Sequence, residues 1–324
     1  MSEYEVITVA KIKAAQKRIS DTIIHTPLLK LNLDDAPAEV YLKLENLQPI
    51  GAFKLRGATS KMKQLTQEQL KDGVYAFSSG NHGRGVAYNA RKMGVKCTII
   101  TSDETPPLKI NELKKLGAEV KIIPYPHTPE GWQRLEEVRA EMKGLEISSR
   151  DPDSLAGYGT IGLEILEDLP DVDAVLMPFG SGGLCTGLSS AIRAINPRVK
   201  LYGCEIDTSA PFAASLEAGE LVEVERVPSF INSIGYTRFQ ANIWEIVRMN
   251  LDGSIVVSIR EVCDAVRMLA ERNKVIAEGA GAVSVAAALS GKAGTGKIVC
   301  VVSGGNEDLS NLLEILQGNI PNPH

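Results

Sequence analysis

Ala174-Val175-Leu176-Met177-Pro178-Phe179-Gly180-Ser181-Gly182-Gly183-Leu184 is the stretch that decides the fold of this chain. Its first residues form a short, continuous apolar run, as a strand buried on both faces requires. Three glycines and a serine follow, and a helical pattern then runs from Leu184 to Ile195. A strand that enters a helix through a glycine-rich turn is the repeating unit of an α/β sheet. The glycines let the backbone wrap a phosphate, and the helix dipole adds a favourable field. The turn is read as a phosphate cradle, and it leaves the phosphate compound open.

The same alternation extends in both directions. Val74–Phe77, Val95–Thr101, Glu119–Ile123, Val199–Cys204 and Ile298–Val302 read as buried parallel strands. Helical patterns fill Asn81–Met93, Glu261–Asn273 and Ala280–Leu289. The predicted class is α/β with two domains. Turn-rich stretches at Gln69–Gly73 and Ser148–Asp153 flank a small, mobile inserted lobe over 73–148. Residues 1–72 and 149–324 then make the large, parallel-sheet domain.

Composition narrows the function classes. With 44% apolar and 23% charged residues the chain has the make-up of a globular protein. A net charge of -5 without a basic block argues against a nucleic-acid partner. No apolar run is long enough to span a membrane, and the start, Met1 to Ser20, reads as an amphipathic charged helix, not a signal peptide. The five cysteines are scattered with no C-x-x-C pair, which suggests neither zinc nor disulfides and points to the reducing cytoplasm.

Two further turns carry chemistry. In Asn46-Leu47-Gln48-Pro49-Ile50-Gly51-Ala52-Phe53-Lys54-Leu55-Arg56-Gly57, Lys54 follows a Pro/Gly turn and opens a predicted helix beside Phe53. A helix N-terminus and partial burial both disfavour the ammonium form, as an imine-forming amine requires. Read alone, Lys54 also fits a solvated helix lysine. Ser78-Ser79-Gly80-Asn81-His82-Gly83 links a strand to a helix and presents N–H groups and small hydroxyls to an anion such as a carboxylate. An ordinary N-capped turn fits it equally. Ser303, in Ser303-Gly304-Gly305-Asn306, puts a hydroxyl just past the last strand, where α/β ligands collect.

Two motif matches compete. Gly291-Lys292-Ala293-Gly294-Thr295-Gly296-Lys297 has P-loop spacing, but Ile298 follows the lysine and the run lies between helix and strand, the reverse of the required order. Gly180-Ser181-Gly182, with Glu205 ending the next strand, imitates a dinucleotide-binding unit and leaves an NAD-dependent oxidoreductase as the alternative. Cys185 stands where that fingerprint needs its third glycine.

Together these segments resemble the serine/threonine dehydratase and serine racemase family of pyridoxal phosphate (PLP) enzymes, fold type II. The resemblance runs from His25-Thr26-Pro27-Leu28 to Asn306, and its Gly-Ala-Phe-Lys and Ser-Ser-Gly-Asn-His runs are specific. It implies that Lys54 bears the cofactor as a Schiff base and that Gly180, Ser181, Gly182, Gly183 and Leu184 bind its phosphate. Asn81 is then near the ring hydroxyl, Ser303 faces the pyridine nitrogen, Glu278 lies near the ring and Phe53 packs beside it. Ser78, Ser79, Gly80, Asn81 and His82 are implied around the substrate. The implied activity is β-elimination from a small hydroxy amino acid such as L-threonine or L-serine, giving a 2-oxo acid and ammonia, by a homodimer. Serine or aspartate-type racemisation, with Ser79 as second acid/base, and 3-hydroxyaspartate dehydration are the alternatives.

The chain departs from the family pattern at several places. Asn232-Ser233 replaces a common Asp-Gly, and Tyr158 replaces a common glutamine. Of the ligands some members use for Mg or Mn, only Glu205 is matched, the second carboxylate being either missing or displaced to Asp207. The sequence ends soon after Asn306, so no C-terminal regulatory domain is expected.

Overall fold

The computed structural model describes residues 7–124 and 129–323. It contains two compact units. One gathers the described residues of Met1–Lys13, Ile24–Phe53 and Tyr158–His324, and the other gathers Ala14–Ile23 and Lys54–Gly157. The described residues of 73–148 fall inside the second unit. The N-terminal helix spans Val9–Ile19, and residues 1–6 of the segment read as amphipathic lie outside the described residues. Among the described residues no helix is long and apolar enough to cross a membrane.

Ten strands are described: β1 Leu28–Lys30, β2 Glu39–Leu44, β3 Val74–Phe77, β4 Cys97–Ser102, β5 Glu119–Ile123, β6 Leu145–Glu146, β7 Ala174–Pro178, β8 Lys200–Ile206, β9 Gly253–Val257 and β10 Lys297–Val302. The first unit holds a six-stranded sheet in the order β1-β2-β10-β7-β8-β9. Only β1 runs antiparallel, against β2. All of β7 is buried, as its continuous apolar run requires. Because β10 and β7 are parallel neighbours, the turns after them, at Ser303 and Gly180, leave the same sheet edge.

The helix Gly279–Leu289 is buried from Gly279 to Ala288 and packs on β10 and β7. Its Gly281 allows a close approach: a Cβ there would lie 2.2 Å from the Gly304 carbonyl. The helix predicted to start at Glu261 starts at Ile259 instead. Ser258 caps it, and Glu261 reaches back to the Ser258 N–H in a capping box. A π-helical turn, Leu269–Asn273, ends it, followed by Lys274 at φ 57°.

The second unit holds the parallel sheet β5-β4-β3-β6. Its core joins Ala58 and Met62 to Val74, Val86, Ala90 and Ile99. The helix Lys54–Met62 packs on the helix Asn81–Met93, and the Thr59 hydroxyl donates to Asn89 Oδ1 at 3.1 Å. Chain from Lys54 onward therefore clusters with β3 and β4.

Candidate active site

Lys54 is the first residue of the helix Lys54–Met62 and is partly buried. Burial, aided by the Arg150 guanidinium, draws its ammonium down from 10.5 to about 8. Such an amine is neutral often enough near physiological pH to attack a carbonyl. Of the two readings open for this lysine, the solvated one does not hold.

The Ser78–Gly83 turn follows β3 and enters the helix Asn81–Met93. Ser78 N–H donates to Ile100 O at 3.1 Å, and Gly80 N–H to Ser78 Oγ at 3.3 Å. A Cβ at Gly83 would stand 2.4 Å from the Ser78 carbonyl, so glycine lets the helix start directly against the strand end. The N-cap is Gly80, which has no side chain to cap the helix, and the first turn has no acidic residue. A helix N-terminus of this kind suits an anion. Ser78, Ser79 and Asn81 are partly exposed on this turn, whereas His82 is buried.

His82 is held in one tautomer. Its Nε2 lies 2.7 Å from the carbonyl of Ile147, so Nε2 carries the proton and Nδ1 keeps its lone pair. Nδ1 is buried without a hydrogen-bond partner among the described residues. Burial first, then the Lys54 and Arg150 charges, push the ring down to about 4. Lys54, Arg150 and the helix N-terminus together favour a negatively charged ligand.

In the first unit, Phe179 N–H donates to Cys204 O at 2.8 Å before the chain turns through Gly180. A Cβ at Gly180 would come within 2.8 Å of the Ser233 carbonyl, and one at Gly182, φ 80°, within 2.4 Å of Ile243 Cγ2. The two glycines are thus required by the protein's own packing. Gly182 caps the helix Gly183–Ile195 without a side chain, and no acidic residue occupies its first turn, a helix N-terminus that suits an anion. Ser181 is the partly exposed member, while Gly183 and Leu184 are buried.

Ser303 is buried at the end of β10, with its hydroxyl 3.5 Å from Ala280 O. The same loop is sewn to the segment before Lys54. Gly305 N–H donates to Gly51 O at 2.9 Å, and Asn306 Nδ2 to Ile50 O at 2.9 Å. Phe53 packs edge-on to Tyr158, with ring centroids 4.9 Å apart. Glu278 caps the helix Gly279–Leu289 by position and accepts from Asn306 N–H at 3.2 Å.

Glu205, the candidate metal ligand, is otherwise engaged. Oε1 accepts from Phe212 N–H at 2.8 Å, and Oε2 from Ala213 N–H at 2.8 Å and from the Ser254 hydroxyl at 2.6 Å. The carboxylate caps the helix Pro211–Ala218, and burial lifts its pKa to about 7. Among the described residues no group of three or more His, Cys, Asp or Glu is placed to hold a metal ion.

Lys54, Ser78, Ser79, Gly80, Asn81 and His82 are gathered in the second unit, and Phe53, Gly180 to Leu184, Glu278 and Ser303 in the first. Sequence reasoning missed Arg150 and the Ile147 carbonyl; only the turn-rich run at Ser148–Asp153 marked their neighbourhood. Taken one by one, these groups suit parts of PLP. An amine of lowered pKa suits its aldehyde, a glycine-capped helix N-terminus suits its phosphate, and a buried hydroxyl at a strand end suits its ring.

Comparison with known proteins agrees. The chain is 38% identical to the L-threonine ammonia-lyase of Thermotoga maritima over 96% of this chain and 78% of that one. It is 35% identical to the catabolic L-threonine dehydratase of Escherichia coli K12, over 95% and 96% of the two chains. Maize serine racemase superposes with a TM-score of 0.88 at 30% identity, covering 96% of this chain and 97% of that one. Residues 19–304 match the family described as pyridoxal-phosphate dependent enzyme, and the chain belongs to that family.

Proposed function

We propose that this chain is a PLP-dependent ammonia-lyase that removes water and ammonia from a small hydroxy amino acid such as L-threonine or L-serine, leaving a 2-oxo acid. The observation that carries this reading is the Lys54 amine, drawn to about 8 within a cationic neighbourhood suited to a carboxylate. Relatives named for this reaction on L-threonine support it.

Lys54 would hold the cofactor through its amine, and Gly180, Ser181, Gly182, Gly183 and Leu184 its phosphate. Ser303 would meet the ring nitrogen and Asn81 the ring hydroxyl, with Glu278 near the ring and Phe53 beside it. Bound there, PLP supplies the electron sink for breaking the Cα–H bond. The N–H groups of the turn Ser78–His82 orient the substrate carboxylate. Lys54 Nζ, once released, accepts the α-proton, and its lowered pKa keeps it competent as a base. The hydroxyl of Ser303 is no carboxylate and does not hold a proton on the ring nitrogen, which favours rapid loss of the β-hydroxyl over longer-lived carbanion chemistry.

A homodimer acting in the cytoplasm goes with this reading. The five cysteines are free and buried, in keeping with a reducing compartment. Leu309, Leu313 and Leu316, exposed at helical spacing, form an apolar stripe that a second copy would cover. Racemisation is the second reading, favoured by the partly exposed Ser79 hydroxyl and by the likeness to maize serine racemase.

The test is direct. The purified holoenzyme is given L-serine and L-threonine, and 2-oxo acid and ammonia are measured. Equimolar formation of both is expected; a PLP-loaded protein that yields neither overturns the reading.

A further inference from the structure

His82 is the second residue of the helix Asn81–Met93 and is only 7% exposed. One side of its ring is anchored, Nε2 to Ile147 O at 2.7 Å. The other side is a buried acceptor, Nδ1, with no partner among the described residues. A buried lone pair left without a donor is costly, and such groups in folded proteins mark a place where something else binds. The charged groups that bear on the ring are Lys54 and Arg150. Burial holds the ring neutral far below physiological pH, so Nδ1 serves as an acceptor and not as an acid.

An amino acid bound at this turn brings few donors. Its carboxylate has none, and its amino group is engaged by the chemistry at Lys54. The remaining donor of serine or threonine is the β-hydroxyl. Resting on the function proposed above, we infer that Nδ1 of His82 accepts a hydrogen bond from the substrate β-hydroxyl and so selects hydroxy amino acids. The contact positions the hydroxyl and does not expel it, because departure needs a proton donor and Nδ1 is an acceptor. Its loss therefore raises KM and leaves kcat nearly unchanged.

Two substitutions separate the two ring nitrogens. In His82→Gln the amide nitrogen replaces Nε2 and keeps the Ile147 anchor, but nothing replaces Nδ1. In His82→Asn the amide oxygen falls near Nδ1 and the anchor is lost. The PLP-loaded parent and both variants are compared on L-serine and on β-chloro-L-alanine, which loses chloride and has no β-hydroxyl. Binding of α-methyl-L-serine and 2-aminoisobutyrate, which lack an α-proton and differ by one hydroxyl, is measured by calorimetry.

His82→Gln is expected to raise KM for L-serine about tenfold, the worth of one neutral hydrogen bond, and to raise that for β-chloro-L-alanine by clearly less. It should also abolish the parent's preference for α-methyl-L-serine, which His82→Asn retains in part. Full retention of that preference in His82→Gln, or equal losses on both substrates, overturns the assignment. Failure of the parent to release 2-oxo acid from either substrate would instead overturn the proposed function.

Discussion

The backbone N–H of Phe53 donates to the carbonyl oxygen of Ser303 at 3.0 Å. The residue before Lys54 is thus fixed to the end of β10 by a main-chain bond, backed by the Ala52–Gly304 bridge. None of this involves the lysine side chain. Lys54→Ala is expected to keep the fold, by circular dichroism, while turnover falls on the order of a thousandfold or more, because nucleophile and base are lost together. Unchanged turnover would place the chemistry elsewhere.

Uptake of PLP by the apoenzyme reports the Lys54 pKa. Only the neutral amine attacks the aldehyde, so the rate climbs with pH as the ammonium deprotonates. A half-point at about pH 8 is expected, not 10.5. Asp151 and Asp153 pair with Lys61, at 2.9 and 3.4 Å, rather than with their neighbour Arg150. Arg150→Ala therefore removes a cation that disfavours the Lys54 ammonium, and the half-point should move upward. A rate profile with its half-point near 10.5 in the parent would show that burial is not felt.

Gly182→Val strains the phosphate turn twice. The branched side chain must adopt φ 80°, and its Cβ meets Ile243 Cγ2 at 2.4 Å. A loss of about 1–3 kcal/mol is expected, with faster escape of PLP on dilution. Adding Ile243→Ala should relieve the clash and restore part of the stability, leaving the backbone strain. A variant that retains PLP like the parent would show that the turn does not hold the phosphate.

Much of the fold was legible because the buried parallel strands are continuous apolar runs. β3, β5 and the helix Asn81–Met93 have the bounds their residues suggest. β2 escaped because Lys43 interrupts it. That lysine is fully buried and pairs with Glu164 at 2.7 Å, a partner 121 residues away that no local pattern reveals. β6 has two residues and β9 begins Gly-Ser, too little for a strand signal. At the site, residue types around Lys54 and Ser78–His82 pointed to an amine and an anion turn. The tautomer of His82 was invisible, since Ile147, 65 residues on, sets it.

Glu205 caps a helix by two hydrogen bonds and accepts a third from Ser254, so its removal is a stability matter first. Glu205→Ala leaves the Phe212 and Ala213 N–H groups and the Ser254 hydroxyl without their acceptor. The expected cost is about 1–3 kcal/mol in urea unfolding. Turnover in EDTA should match that without chelator. Loss of activity in EDTA, restored by magnesium or manganese, would show that Glu205 exchanges its helix partners for a cation.

Ser79 separates lyase from racemase. Inverting the α-carbon needs a second acid/base on the side opposite Lys54, and the hydroxyl of Ser79 is the group the resemblance offers. It lies on the turn beside Gly80, partly exposed. An alcohol is a poor base without a partner that takes its proton. Elimination from the L-isomer asks only for Lys54 and a proton for the departing hydroxyl, with no second base on the opposite side. L-serine should therefore give pyruvate faster than D-serine in the parent. Ser79→Ala should suppress D-serine formation and any action on D-serine while leaving L-elimination within about threefold, less than the loss of a group essential to the step. Chiral chromatography beside an oxo-acid assay on both proteins measures this. D-serine forming faster than pyruvate in the parent, and its loss in Ser79→Ala, would make racemisation the main activity.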